Sequence, residues 1–252
     1  MTGPDAARVM AAVRATWPPA RTVRVGPFDV PLDPEGSRRA IAARPAAPAG
    51  AGAPGRRAVP GGLGATAADL AAVEAARPGA IFATVDGADD ALCALLSAGG
   101  YRAEGASLLM AGPAAPLLGD LPRVSGFPHW PPAAICEAMW AAHGNGPASL
   151  RAAGRAPEPR AAILLRAHDR AAGALFVAVA DGLGVLHMVL TLPAHRRRGV
   201  GMLGLRHAAA FAAGHGATHL ALPVERGNAA AVALYRRAGL EEVGGYRYWR
   251  RS

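Results

Sequence analysis

The sequence predicts an α/β (α+β) protein. Strand and helix patterns alternate over roughly the last ninety residues, and Gly or Pro closes most of the helical stretches. No apolar run reaches the length needed to span a bilayer. Hydrophobic residues make up 52% of the 252, enough to bury the core of one large domain or two small ones.

Ala6–Thr16 reads as a short helix ended by Trp17-Pro18-Pro19, since proline cannot continue it. Arg21–Val30 and Arg38–Ala43 are expected to pair as a hairpin around the turn residues of Pro31–Gly36. Pro45–Gly64, rich in Pro, Gly and Ala, is expected to be a mobile loop. Thr66 with Asp69 three residues later resembles a capping arrangement for a helix over 67–77, which Pro78-Gly79 stop. Ala80–Val85 reads as a strand, Asp89–Ala98 as a helix closed by Gly99-Gly100, and Arg102–Met110 as a strand. The proline-rich stretch Gly112–Pro132 is a linker candidate. Helices over Ala133–His143 and Pro147–Ala153 follow. Ala161–Arg166 and Ala174–Ala180 form a hairpin across His168–Gly173, with Val185–Leu192 as a third strand. Gly201–Ala213 is helical, Leu220–Val224 a strand, Ala229–Ala238 a helix stopped by Gly239, and Val243–Arg250 a last strand.

The formal charge of +9 invites a nucleic-acid reading. All 27 basic residues are arginine, however, beside abundant Ala, Gly and Pro, a pattern of GC-rich coding rather than of a binding face. The arginines are spread along the chain, and 5% aromatic content leaves few platforms for stacking bases. Nucleic acid is therefore not expected as the main ligand. Cys93 and Cys136 are the only cysteines; isolated thiols read as small buried hydrophobes, and no metal site is predicted. The start of the chain has no basic segment leading into an apolar one, so no secretory signal is expected and a cytoplasmic location is the default.

The strongest chemical signal is Leu192-Pro193-Ala194-His195-Arg196-Arg197-Arg198-Gly199-Val200-Gly201. An apolar strand runs into an Arg/Gly loop, and a helix starts directly afterwards. N–H groups at a helix start have no intrahelical acceptors, and the helix dipole adds partial positive charge. Glycines at 199 and 201 are expected to remove β-carbons that would keep a phosphate off the amides. Arg196, Arg197 and Arg198 add formal charge. Together these suit a multiply charged anion such as a pyrophosphate. The loop has neither the Gly-x-Gly-x-x-Gly nor the Lys-Ser/Thr pair of the standard nucleotide loops.

Arg196-x-x-Gly199-x-Gly201 resembles the Gln/Arg-x-x-Gly-x-Gly/Ala signature of the GNAT N-acetyltransferase superfamily. Downstream, Asn228-Ala229-Ala230-Ala231-Val232-Ala233-Leu234-Tyr235-Arg236-Arg237-Ala238-Gly239-Leu240 is similar to the family pattern Asn-x-x-Ala-x-x-Leu-Tyr-x-x-x-Gly-Phe, with Leu240 for the usual Phe. The resemblance implies a mixed central sheet, flanked by helices and splayed at the acyl-CoA site. It implies acetyl-CoA as co-substrate, with its pyrophosphate on the amides of Arg197, Arg198, Gly199, Val200, Gly201 and Met202. The pantetheine arm would then pair with the backbone of Val189, Leu190 and Thr191 as if with another strand. Asn228 would cap its helix and reach the cofactor. Tyr235, on the same helical face as Asn228 and Ala231, would protonate the departing thiolate as general acid. The implied reaction is direct acetyl transfer to a primary amine.

An amine must be neutral to attack a thioester, so a base or a proton route is needed. A related branch of the family, the ribosomal-protein alanine acetyltransferases, places a glutamate five residues before the motif asparagine. Here that residue is Pro223, a departure that puts both that base and that substrate in doubt. Pro223 also lacks a ladder N–H, which suits a strand parted from its neighbour. His187 and Glu225 are the candidate bases, beside a water-mediated route without one. For the acceptor, the resemblance points to Phe127–Ala153 and Val243–Arg250. Phe127, His129, Trp130 and Trp140 are candidates to line a pocket, and Tyr246, Tyr248 and Trp249 to close it; each also reads as packing.

An internal echo lays Ala80–Met110 over the end of the chain, Ile81–Val85 on Leu220–Val224 and Ala94–Tyr101 on Ala233–Leu240. Leu96 then takes the place of Tyr235 and Asp89 that of Asn228. Arg57–Gly62, whose Pro60 has no N–H to give, replaces the phosphate loop. The expectation is a tandem GNAT: 1–111 a degenerate half, 112–124 a linker, and 125–252 the catalytic domain. Its acceptor is a small-molecule or peptide amine, with no membrane partner, and the enzyme is a monomer or homodimer. The rival readings are a non-catalytic acyl-CoA-binding regulatory module and an acetyltransferase directed at protein or tRNA.

Overall fold

The computed structural model describes residues 3–33, 37–46 and 64–251. In chain order its elements are α1 (Ala6–Ala15), β1 (Thr22–Val25), β2 (Phe28–Pro31), α2 (Arg38–Ile41), β3 (Arg44–Pro45), α3 (Ala67–Ala76), β4 (Ile81–Val85), α4 (Asp90–Ala98) and β5 (Tyr101–Pro113). Then come β6 (Gly126–His129), α5 (Ala134–Ala141), α6 (Pro147–Gly154), β7 (Arg160–Ala167), β8 (Arg170–Ala180), β9 (Leu183–Thr191), α7 (Val200–Gly214), β10 (His219–Glu225), α8 (Ala229–Arg237) and β11 (Glu241–Arg251). The chain forms two compact units that interleave in sequence: Met1–Pro18 with Leu108–Gly244, and Pro19–Ser107 with Gly245–Ser252.

In the first unit the strands run in the order β5-β10-β9-β8-β7-β6. Antiparallel ladders join β6 to β7, β7 to β8 and β8 to β9, whereas β9 and β10 are parallel, so the sheet is mixed. β8 is buried along Ala172–Ala178 because both of its faces are covered. On one face Leu175, Val177 and Leu186 join Leu205, Ala208, Ala209 and Ala212 of α7 in the main apolar cluster. Two glycines let α7 come this close. A β-carbon at Gly184 would lie 2.4 Å from that of Ala212, and one at Gly204 would lie 2.8 Å from Leu165. On the other face Phe176 packs with Trp17, Trp130 and His187.

The second unit holds the hairpin β1–β2 and the strand order β4-β11-β5. Its core gathers Phe28, Leu70, Val73, Phe82, Leu96, Tyr101 and Trp249. α3 begins with the capping box that Thr66 and Asp69 predict.

Two expectations are corrected. The N-terminal hairpin does not pair Arg21–Val30 with Arg38–Ala43: Thr22–Val25 pairs with Phe28–Pro31, and Arg38–Ile41 is helical. Gly26, at φ +53°, followed by Pro27 makes the tighter turn. β2 then pairs with Arg44–Pro45. The stretch Gly112–Pro132 is not all linker, since it contains the end of β5, a 3₁₀ turn at Ala115–Leu117 and the strand β6. β6 is an edge strand, where Pro128 is admitted without breaking a ladder on both sides. Of the expected loop Pro45–Gly64, residues 47–63 lie outside the described residues, as does Arg57–Gly62. Among the described residues, no helix is long and apolar enough to cross a membrane.

Candidate active site

The site is built where β9 ends, α7 begins and α8 passes by. The parallel ladder between β9 and β10 is confined to His219↔Leu183, Leu220↔Gly184 and Ala221↔Val185. Beyond it Val189, Leu190 and Thr191 are half-buried, held on the β8 side through Ala174↔Leu190 and Gly173↔Thr191. The strands therefore part before Val189–Thr191.

After Thr191 the chain makes a 3₁₀ turn at Pro193–His195 and enters the exposed stretch Arg196–Gly199. Arg197 and Gly199 both take left-handed backbone, at φ +62° and +82°. Gly199 is the N-cap of α7, and no side chain caps that end. The first backbone bond of the helix runs from Leu203 N–H to Gly199 O, at 2.9 Å. Among the described residues, the amides of Arg197–Met202 have no backbone acceptor. Arg196 lies back along the loop, its Nε donating to the Thr191 carbonyl at 3.4 Å.

The two loop glycines differ in role. At Gly199 a β-carbon would meet nothing within 4 Å, so its requirement is conformational. At Gly201 a β-carbon would lie 2.7 Å from Leu234 Cδ2 and 3.7 Å from Thr191 Oγ1. Gly201 thus permits the close approach of α7 to α8.

α8 starts at Asn228, whose side-chain oxygen accepts from Ala231 N–H at 3.2 Å, as a capping asparagine should. One turn later come Ala231 and Leu234, packed against the buried cluster of Val200, Leu222, Val224, Val232 and Tyr235. Tyr235 is 5% exposed. Burial pushes its phenol up to about 12, because the charged form has lost its water. Among the described residues its hydroxyl has no hydrogen-bond partner.

The two base candidates stand in different surroundings. Glu225 is exposed at the end of β10. His187 is 3% exposed, stacked on Trp17 at 4.7 Å between ring centroids, with Nε2 2.8 Å from Thr16 Oγ1. The Thr16 hydroxyl also reaches the Ala12 carbonyl at 2.8 Å. Its single proton goes to that carbonyl, so Oγ1 accepts from His187 and the imidazole carries a proton on Nε2. Thr16→Val, which keeps the shape and withdraws this bond from a buried ring, is expected to cost about 1–3 kcal/mol in a urea unfolding titration.

Of the aromatic candidates, Trp140 is fully buried. His129 staples the start of α5, with Nδ1 2.8 Å from the Phe127 carbonyl and Nε2 accepting from Ala133 N–H at 2.8 Å. Trp130 lies under the Arg160 guanidinium at 4.7 Å, and Phe127 is partly exposed. Tyr246, Tyr248 and Trp249 are buried in the second unit, where Trp249 Nε1 donates to Thr84 Oγ1 at 2.9 Å.

The profile of the Acetyltransferase (GNAT) family matches residues 133–240, from α5 through α8. Residues 133–240 thus resemble a GNAT domain. Over 52 residues, 21% of this chain, the sequence is 48% identical to streptothricin acetyltransferase of Streptomyces lavendulae. That match spans 28% of the relative's length. A GCN5-related N-acetyltransferase from Kribbella flavida superposes with a TM-score of 0.70 at 24% identity, covering 98% of this chain and 95% of that one. A tandem GNAT protein from the clavulanic acid biosynthesis pathway superposes with a TM-score of 0.59 at 18% identity, covering 99% and 90%. The structural likenesses show a GNAT fold, with a mixed sheet flanked by helices.

Proposed function

We propose that this chain is an acetyl-CoA-dependent N-acetyltransferase that moves an acetyl group to a primary amine of a small-molecule acceptor. One observation carries the reading: the unpaired amides of Arg197–Met202 open a helix beside the parted end of β9. Such a run of donors, with the dipole of a long helix behind it, fits a diphosphate. Left-handed Arg197 and Gly199 curve the run, and the exposed arginines at 196–198 add charge. Acetyl-CoA supplies an activated acyl group as a thioester. The chain's own groups bind and orient it. Successive amides of a strand point to alternate sides; with Leu192 N–H bonded to the Ala172 carbonyl of β8, the Thr191 amide faces the side that β10 has left, where it stabilises charge developing on the thioester carbonyl oxygen. Tyr235 holds a proton for the leaving sulfur, and Asn228 fixes the helix that carries it.

For proton removal from the amine, this reading favours a water route with Glu225 at its mouth over His187. His187 is 3% exposed, with Nε2 2.8 Å from Thr16 Oγ1 and its ring stacked on Trp17, so an incoming amine has little access to it.

The reading also takes 1–111 as a degenerate GNAT-like half, 112–124 as its link and 125–252 as the catalytic half. This division concerns descent, whereas the interleaved compact units concern packing. In its support, β4-α4-β5 repeats the order of β10-α8-β11, and α4 and α8 each have nine residues. Leu96 is buried at the place of Tyr235. Asp89 accepts from Val85 N–H at 2.8 Å instead of capping its helix.

Calorimetry on the full chain tests the core of this. Coenzyme A and acetyl-CoA are expected to bind with comparable affinity, and inorganic pyrophosphate to compete. A flat titration with both thiol and thioester would remove the acetyltransferase reading. An amine-library screen that follows thiol release then identifies the acceptor.

A further inference from the structure

Strand β9 carries a fault in its ladder just before the segment assigned to the thioester. Its register against β8 runs Gly173↔Thr191 and Ala174↔Leu190, then resumes at Phe176↔His187. Leu175 therefore faces both Met188 and Val189, which is a β-bulge. Met188 takes up the extra residue at φ +49°, in the left-handed region that a residue with a β-carbon avoids. Such a conformation persists only where its surroundings hold it. Here the indole N–H of Trp140, on α5, donates to the Met188 carbonyl at 2.8 Å. Trp140 is fully buried, so its N–H needs an acceptor. One bond satisfies the donor of the indole and anchors the displaced carbonyl of the bulge.

We infer that Trp140 is a positioning residue for acyl transfer: its N–H pins the bulge at Met188 and so sets the direction of the Val189–Thr191 amides. The inference rests on the acyl-CoA reading above. A bulge bends and twists the strand that contains it, so the amides beyond Met188 point where the bulge aims them. β10 does not correct that direction, because its ladder with β9 ends at Ala221↔Val185. β8 resumes contact only at Leu190. Between these points the Trp140 bond is the contact at the bulge carbonyl itself. Packing alone would ask only for a large ring at position 140. An N–H is needed there only if the direction of that carbonyl matters.

The test separates ring from donor. Trp140→Phe keeps an aromatic ring in the core and removes the N–H. Infrared difference spectra with acetyl-CoA labelled with ¹³C at the thioester carbonyl report how strongly the protein polarises that bond. In the wild type the bound carbonyl band is expected at lower frequency than in free acetyl-CoA. In Trp140→Phe it is expected to move at least about halfway back, while the Kd for coenzyme A changes less than about threefold, since the pyrophosphate amides are untouched. An unchanged band in a variant that still binds coenzyme A overturns the inference and leaves the acyl-CoA reading standing. Failure of the wild type to bind coenzyme A overturns that reading and this inference with it. Should Trp140→Phe not fold, β-benzothienylalanine at position 140 keeps the bicyclic ring without the donor, and the same outcomes apply.

Discussion

Tyr235→Phe is expected to lower turnover by about 10²–10⁴-fold, the range of general acid catalysis, with the Kd for coenzyme A changed less than about threefold. The phenol ring packs in the same buried cluster as Val200 and Val232, so phenylalanine fills the same space and only the proton donor is lost. Stopped assays of thiol release beside calorimetry separate the two effects. Equal turnover in both proteins would make Tyr235 an ordinary core residue.

The pH dependence follows from its burial. Desolvation holds the phenol up to about 12 against an ordinary value of 10.0. A raised value means that the protonated form, the one able to donate, persists to higher pH. The contribution of Tyr235 is therefore complete below pH 10 and is lost only as pH rises through about 12. The ratio of wild-type to Tyr235→Phe turnover is expected to stay constant from about pH 7 to 10. A ratio that falls with a midpoint near pH 9 would mean that the phenol ionises there, against the burial that the structure gives it.

How far the site was legible in the sequence depends on the range of each contact. The phosphate loop and its helix were legible because their signals are local: Gly199 must be left-handed where it stands, and Asn228 caps the residues directly after it. Val185–Leu192 was legible as a strand, but its bulge was not. Met188 is a poor left-handed residue by its own chemistry, and what holds it there lies 48 residues away in sequence. His187 had the alternation of a residue that could face a cleft. Its partners, Thr16 and Trp17, come from the helix at the opposite end of the chain, and no spacing rule joins them. For Gly201 the contact that spacing alone does not give is Leu234 on α8, 2.7 Å from where a β-carbon would stand. β6 was hidden by Pro128, which argues against a central strand and is silent about an edge. In the second unit, the local turn at Gly26-Pro27 won over the longer one at Pro31–Gly36 because closing fewer residues costs less entropy.

Gly199→Val is expected to weaken coenzyme A binding by more than about 100-fold while the protein stays folded. Valine has no room to relax at φ +82°, since a β-branched residue in the left-handed region costs about 1–3 kcal/mol. Nothing else opposes it: a β-carbon at 199 meets no atom within 4 Å. The strain is therefore conformational and is relieved by turning Gly199 toward right-handed or extended backbone. That turn swings the amides of Arg198–Met202 out of the shared arc, so the diphosphate loses several donors at once rather than one. Gly201→Ala provides the contrast. Its β-carbon would press on the far end of the Leu234 side chain, which can yield, and the backbone arc is kept. It is expected to change the affinity for coenzyme A by less than about tenfold, the equivalent of about 1.4 kcal/mol. Calorimetry on both variants beside urea unfolding distinguishes an arc from a mere patch of positive charge. With all three arginines still present in both variants, a charged patch would bind coenzyme A equally well in each, and only a curved run of backbone donors can tell them apart.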